Sequence, residues 1–294
     1  MKHSAYIITG PTASGKSDFA HRLAYAINGT IINCDSVQIY RDIENISASP
    51  FAGRPITSDI DGVPYRLFSV LPLSKQISVA DYLDMARVEY DNALRSGRTP
   101  IFVGGTGYYI NALISGISPM PDISAENRAR ARGLVATDIV GARQLLPQDF
   151  KPTDSQRVAR ALEVFFETGH HLSEFQNAPR SGAVAQDAHR VLIMPELDVL
   201  RERIAARIPQ MLDSGALDEA RKIIDSGWDA GRAIGATQLC AYLRGEKTYQ
   251  ECITDWINKT NQYAKRQRTW FRTQFFPDTI INCVGSDADI RIIS

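Results

Sequence analysis

The sequence predicts an α/β protein with a parallel sheet of the doubly wound kind, interrupted by a helical insertion. Three observations carry this. Short apolar runs alternate with helix-spaced segments through the first third of the chain. A glycine-rich stretch joins the first run to the first helix. From about 114 to 183 the signal is almost wholly helical before strand-like apolarity returns.

Taken in order, Ala5-Tyr6-Ile7-Ile8 reads as a buried strand, Ser17 to Ala26 as a helix and Thr30 to Cys34 as a second strand. Val79, Tyr82, Leu83, Ala86, Tyr90, Ala93 and Leu94 recur at helical spacing, Gly97 ends that helix, and Pro100 to Val103 forms a third strand. The insertion is punctuated by Pro119, Pro121, Pro147, Pro152 and Pro179. Val191 to Met194 resumes the sheet, and helices run from Leu197 through Phe271. The expected organisation is a core in two parts, 1–113 and 184–294, around an insertion over 114–183.

Composition narrows the class. The 294 residues carry 33 Lys+Arg and 33 Asp+Glu, a formal net charge of +0, with 44% hydrophobic and 22% charged residues. A disordered chain is excluded, and an overall basic balance cannot be the argument for a nucleic-acid partner. No apolar run approaches the roughly 18 residues of a membrane span, and no secretory signal is read at Met1-Lys2-His3-Ser4. Cys34, Cys240, Cys252 and Cys283 form no C-x-x-C pair, and His170-His171 has no cysteine nearby, so free thiols in a reducing cytoplasm are expected rather than zinc.

Gly10-Pro11-Thr12-Ala13-Ser14-Gly15-Lys16-Ser17 fits G-x-x-x-x-G-K-[ST] in full, between a strand and a helix, and gives the core a P-loop NTPase-like reading. Successive backbone N–H groups and the helix N-terminus converge on a phosphate or diphosphate; Lys16 adds charge, and Ser17 can ligate Mg²⁺. Asp35 ends the second strand and should face the same crevice, as a Mg²⁺ ligand, a general base or simply a helix N-cap. Gly104-Gly105-Thr106-Gly107 follows the third strand, where backbone can approach a ligand and Thr106 offers a hydroxyl.

Basic residues are clustered further on. Arg128, Arg130 and Arg132 would spread around a helix, Gln156, Arg157 and Arg160 share a face, and Arg203 and Arg207 lie one turn apart. Between Trp256 and Pro277 stand Lys259, Lys265, Arg266, Arg268 and Arg272 with no Asp or Glu, interleaved with Gln262, Gln267, Trp270, Phe271, Phe275 and Phe276. Such a segment is either an RNA-contacting helix or an amphipathic one with an aromatic core face. The zero total charge is thus an average over unlike parts, and a local basic groove remains open to RNA.

The motifs GPTASGKS at 10–17, DSVQIY at 35–40, SVADY at 78–82, VGGTGYY at 103–109, SQRVARALEVF at 155–165, RIAAR at 203–207 and AKRQRTWFR at 264–272 form an ordered series. The series resembles the tRNA dimethylallyltransferase (tRNA isopentenyltransferase) family from about Ala5 to Arg272. The resemblance implies transfer of a dimethylallyl group from dimethylallyl diphosphate to N6 of the adenosine 3′ of the anticodon, in tRNAs reading codons that begin with U. It implies Asp35 as general base, Thr106 and Arg207 as catalytic residues near the diphosphate, and Mg²⁺ on Ser17. It also implies tRNA contacts from Asp35, Ser36, Val37, Gln38, Thr106, Arg128, Gln156, Arg157, Val158, Ala159, Arg160, Arg232, Gly235, Lys265, Arg266, Gln267 and Arg272, with the insertion as an anticodon stem-loop clamp. A cytoplasmic monomer is expected.

Three departures from the family pattern bear on tRNA affinity: Glu44 to Pro50 lacks the usual lysine, Ser49 standing there; Ile234-Gly235-Ala236-Thr237 replaces G-Y-[KR]; and Asn261 stands for arginine. The competing readings are a small-molecule P-loop kinase, a free-adenylate isopentenyltransferase and a non-catalytic RNA-binding module. The insertion and basic aromatic helix speak against the first two, and the intact Lys16, Ser17 and Asp35 against the third.

Overall fold

The computed structural model describes residues 3–282. Its contacts divide the chain into two compact units: Ser115–Gly182, and the segments on either side of it.

The larger unit is built on a seven-stranded sheet. Its chain order is β1 (Tyr6–Thr9), α1 (Lys16–Ile27), β2 (Gly29–Asn33), β3 (Asp59–Ile60), β4 (Val63–Arg66), α2 (Val79–Arg95), β5 (Thr99–Gly104) and α3 (Gly107–Ser115). After the insertion come β6 (His189–Ile193), α8 (Leu197–Asp213), α9 (Ala216–Ser226), α10 (Ala236–Leu243), α11 (Tyr249–Gln274) and β7 (Thr279–Ile281). Spatial order is β3-β4-β2-β5-β1-β6-β7, parallel throughout except for the β3–β4 pair. Every residue of β1, β2 and β5 is buried, which is why each is centred on a short apolar run, Tyr6 to Ile8, Ile31-Ile32 and Ile101 to Val103. Because β5 lies between β1 and β2, the chain leaving β1 crosses over its neighbour, opening a crevice at the carboxyl ends of these strands.

Helix α2 has the bounds its periodicity predicts. It starts at a reciprocal Ser78–Asp81 capping box and is followed by Gly97 in the left-handed region at φ 66°. Two features escape the sequence reading. The β3–β4 hairpin turns at Asp61-Gly62, both at positive φ, a two-residue loop with a recognisable Asp-Gly signal. Its strands are too short to show alternation and are stabilised by the register of β4 on β2, Ile31 beside Tyr65. Strand β7 likewise has three residues and forms by pairing with β6.

The smaller unit contains α4 (Ala125–Thr137), α5 (Ile139–Gln144), α6 (Ser155–Thr168) and α7 (Leu172–Gln176). Its core joins Ala131 and Val135 of α4 to Val158, Ala159, Ala161 and Leu162 of α6. Asp154 caps α6 through the Arg157 N–H, and Gly169 closes it at φ 74°. Cys34, Cys240 and Cys252 are buried free thiols, and burial pushes the Cys34 thiol up to about 12; Cys283 lies outside the described residues.

Candidate active site

The glycine-rich loop leaves β1 and enters α1. Ala13 and Gly15 adopt positive φ, 62° and 91°, the former an unusual conformation for a residue with a side chain. A Cβ on Gly10 would lie 2.3 Å from the Ile193 carbonyl oxygen, so only glycine lets the loop pass this close to β6. Gly15 supplies no side-chain cap, which leaves the first N–H groups of α1 for an external anion. Pro11 and Ser14 are buried, and Ser14 Oγ has no partner.

Cations surround this loop. Lys16 Nζ lies 3.3 Å from the Pro11 carbonyl; burial pulls its pKa down to about 8, against the attraction of Asp35 and with the help of Arg207. From α8, Arg203 Nη1 donates to the Ala13 and Ser14 carbonyls at 3.3 and 3.1 Å, and Arg207 Nη2 donates to Thr12 Oγ1 at 2.9 Å. Burial lowers the Arg207 pKa, and its buried Nε has no partner. Both arginines reach the loop because they lie one turn apart on one helix face.

The ends of β2 and β5 are knitted together. Ser36 N–H donates to Thr106 Oγ1 at 3.0 Å, and Thr106 Oγ1 lies 3.3 Å from Ser36 Oγ. A Cβ on Gly104 would stand 2.0 Å from the Cys34 carbonyl oxygen, so the close approach of the two loops requires glycine there. Asp35 Oδ1 accepts the Val37 N–H at 2.9 Å, and among the described residues no hydrogen bond occupies Oδ2. No helix follows Asp35, so its carboxylate closes a turn rather than capping a helix, and it faces the crevice.

A cavity of about 630 Å³ lies over these loops. Thr12 to Asp18 (apart from Ser14), Asp35 to Gln38, Arg203, Arg207 and Arg232 line it, together with the apolar Ile46, Met211 and Trp256. Tyr263 and Gln267 of α11 complete the wall, and burial raises the Tyr263 hydroxyl pKa. Cations, the carboxylates of Asp35 and of Asp18 (which pairs with Arg22), and apolar surface in one cavity suit a ligand that is anionic at one end and hydrocarbon at the other. Ser17 Oγ and Asp35 are hard oxygen donors, and no cluster of three or more His, Cys, Asp or Glu occurs among the described residues. That donor set fits Mg²⁺ shared with ligand phosphates better than a metal held by protein alone.

The structure redistributes several residues named from the sequence. Val158 and Ala159 are buried in the insertion's own core, so their side chains are packing residues rather than RNA contacts. Gly235 is buried with φ 99°, and a Cβ there would meet the Trp256 ring at 2.5 Å; it too is a packing position. Gln267 is buried and spends both ends of its amide on protein, accepting the Thr12 N–H and donating to the Gly105 carbonyl. Arg268 turns inward to the Pro195 carbonyl and Glu196. The basic stretch thus keeps Lys259, Lys265, Arg266 and Arg272 exposed.

Arg232 lines the cavity beside the Tyr40 hydroxyl, at 3.4 Å. In the smaller unit Arg128 and Gln156 are exposed, Arg157 pairs with Asp154, and Arg160 pairs with Glu163. Of the departures, Ser49 and Ala236 are buried, Thr237 Oγ1 donates to the Ala230 carbonyl, and Asn261 Oδ1 is buried without a partner. Sequence reasoning did not assign Arg203, Ile46, Met211 or Tyr263 to the site. For Arg203 the signal was its spacing from Arg207; for the others no local signal exists.

A parallel sheet whose first strand feeds a phosphate-type loop, facing a cationic cavity at the strands' carboxyl ends, defines a P-loop α/β protein. More narrowly, the chain belongs to the IPP transferase family, whose profile matches residues 38–274. It is 39% identical over 283 residues to the tRNA dimethylallyltransferase of Zymomonas mobilis, covering 93% of this chain and 89% of that protein. With that of Gluconacetobacter diazotrophicus it shares 40% over 277 residues, covering 90% and 82%. Among solved structures, the full-length tRNA isopentenylpyrophosphate transferase of Bacillus halodurans superposes with a TM-score of 0.69 at 30% identity, covering 99% of this chain and 94% of that one.

Proposed function

We propose that this protein transfers the dimethylallyl group of dimethylallyl diphosphate to N6 of adenosine 37, 3′ of the anticodon, in tRNAs reading codons that begin with U. The observation that carries the reading is one cavity joining a phosphate loop, Asp35 and an apolar wall. The family, and relatives named tRNA dimethylallyltransferase, support it.

In this reading the diphosphate lies over the α1 N-terminus, held by loop N–H groups, Lys16 and Arg207. The N6 lone pair forms a bond to C1 of the donor as the C1–O bond breaks, and the diphosphate leaves with the electron pair. Fixed cations aimed at the departing oxygens lower this barrier because charge accumulates there only as the bond breaks. The amine must shed a proton as it attacks, and Asp35, whose Oδ2 is uncommitted, accepts it. Thr106 holds the Ser36 N–H and steadies the Asp35 loop beside it. Mg²⁺, which Ser17 would hold, would supply further neutralisation of the leaving group.

The adenine must leave its stack to enter the crevice. Ser36, Val37, Gln38 and Arg232 are proposed to receive it and its neighbours. The exposed Lys265, Arg266 and Arg272, with Arg128, Gln156, Arg157 and Arg160 of the insertion, are proposed to meet tRNA phosphates and bases. No helix among the described residues is long and apolar enough to cross a membrane, and the buried free thiols suit a reducing cytoplasm.

The test is to offer dimethylallyl diphosphate with tRNA, AMP or ATP and follow the label. Prenylated adenosine in tRNA is expected. Label in AMP alone would replace the tRNA acceptor with a free nucleotide, and phosphoryl transfer from ATP would make the protein a kinase.

A further inference from the structure

Helix α9 carries a buried acid that the proposed chemistry does not use. Glu219 is 6% exposed, and three donors converge on its carboxylate at 2.8 Å: Asn45 N–H and Nδ2 on Oε1, and Ile46 N–H on Oε2. A carboxylate is the side chain suited to this, since it accepts on both oxygens and donates on neither. Burial, with Glu44 nearby, raises its pKa to about 7, while the Asn45 and Ile46 donors pull the other way.

The clamped segment leads directly into the cavity. Ile46, Ser47 and Ala48 form part of its wall, and Gln38 Nε2 donates to the Ser47 and Ala48 carbonyls, both at 3.0 Å. With its amide nitrogen so engaged, Gln38 has its carbonyl oxygen left as an acceptor for a base N–H. The loop's orientation therefore fixes which way the Gln38 amide faces, and Glu219 fixes the loop. A second contact between the same helix and loop, Lys222 to Asp42 at 3.0 Å, is exposed and does not involve the cavity-lining residues.

We propose that Glu219 is a positioning residue for nucleobase recognition, holding the Asn45–Ala48 segment so that Gln38 presents an acceptor to the RNA. The inference rests on the tRNA reading of this cavity, and its test separates the two. In Glu219→Gln one amide oxygen must serve donors that two carboxylate oxygens served, and the amide nitrogen faces an N–H. The KM for tRNA should rise roughly tenfold, the scale of losing a charge-assisted hydrogen bond. The KM for dimethylallyl diphosphate and kcat at saturating tRNA should stay within about twofold of wild type, in line with an effect confined to recognition.

Amide hydrogen exchange over residues 41–50 should quicken in Glu219→Gln and stay unchanged in Lys222→Ala, which also keeps its KM. Asn45→Ala removes one donor of three and should show both effects on a smaller scale, which keeps the test intact if Glu219→Gln folds poorly. An unchanged tRNA KM in these variants, a loss confined to kcat, or unaltered exchange at 41–50 would each overturn the proposal. If the wild type prenylates no tRNA, the functional reading fails instead, and the exchange comparison still decides whether the clamp exists.

Discussion

Gln267 accepts the Thr12 N–H at 2.8 Å, and through its other end donates to the Gly105 carbonyl at 2.9 Å, so α11 fastens the phosphate loop to the glycine loop after β5. One N–H of the loop is thereby turned away from any anion. Replacing Gln267 with Ala leaves a buried donor and a buried acceptor unpaired, at about 1–3 kcal/mol each. The expected result in urea unfolding is a loss of about 2 kcal/mol or more, with weaker diphosphate binding. Wild-type stability combined with weaker tRNA binding would return Gln267 to the role of an RNA contact.

Asp35→Asn keeps an oxygen able to accept the Val37 N–H, so the loop should hold its shape. Turnover should fall by roughly 10² or more, the scale of a lost general base, while tRNA affinity changes little. Single-turnover kinetics and filter binding check the two halves. Collapse of binding would make Asp35 a positioning residue.

Lys16 makes the site pH-dependent. Its folded pKa of about 8 lies below the ordinary lysine value, so the charged form is disfavoured by folding. Stability from this group is therefore present above the ordinary lysine pKa and is lost as pH falls through the folded value of about 8, below which the buried charge costs in full. In the proposed reaction, diphosphate would offset that cost by pairing with the ammonium. Diphosphate should raise the Tm more at pH 7 than at pH 9, and binding near pH 8 to 9 should take up protons from buffer. Calorimetry in buffers of different ionisation enthalpy measures this, and Lys16→Met should remove it.

Gly235→Ala tests the packing assignment. The new methyl would face the Trp256 ring at 2.5 Å from a backbone at φ 99°. Overpacking and left-handed strain together should cost about 2 kcal/mol or more in chemical denaturation. A variant of normal stability but poor tRNA binding would contradict the assignment.

Salt dependence tests the basic face of α11. Lys265, Arg266 and Arg272 are exposed, whereas Arg268 is buried on Pro195 and Glu196. Each of Lys265→Ala, Arg266→Ala and Arg272→Ala should lower the slope of log K against log salt by about 1. Arg268→Ala should instead lower stability with little change in slope; the reverse pattern would show that this helix meets RNA with a different face.

The sequence by itself determined what is local. The phosphate loop is contiguous: its chemistry resides in the backbone of eight successive residues between a strand and a helix, and the G-x-x-x-x-G-K-[ST] string suffices to place it. Helix α2 was legible because its apolar spacing and the Gly97 that ends it are both short-range, and β1, β2 and β5 because a strand buried on two faces carries a short apolar run. Asp35 was placed at the crevice by its position at the end of a strand, and family resemblance added Arg207 and Gln38; these three line the cavity, whereas Thr106 does not.

Tertiary structure decided which polar residues face inward and what they hold. Gln267 stands 255 positions from Thr12, and Glu219 stands 174 from Asn45. No local pattern distinguishes such a buried clasp from a solvated side chain of the same type. Val158 and Ala159 belong to a motif that also carries exposed residues, and only the packing of α4 on α6 separates core from surface within it. The hairpin and the last strand are too short to be stable alone, so their pairing partners, not their own residues, make them strands.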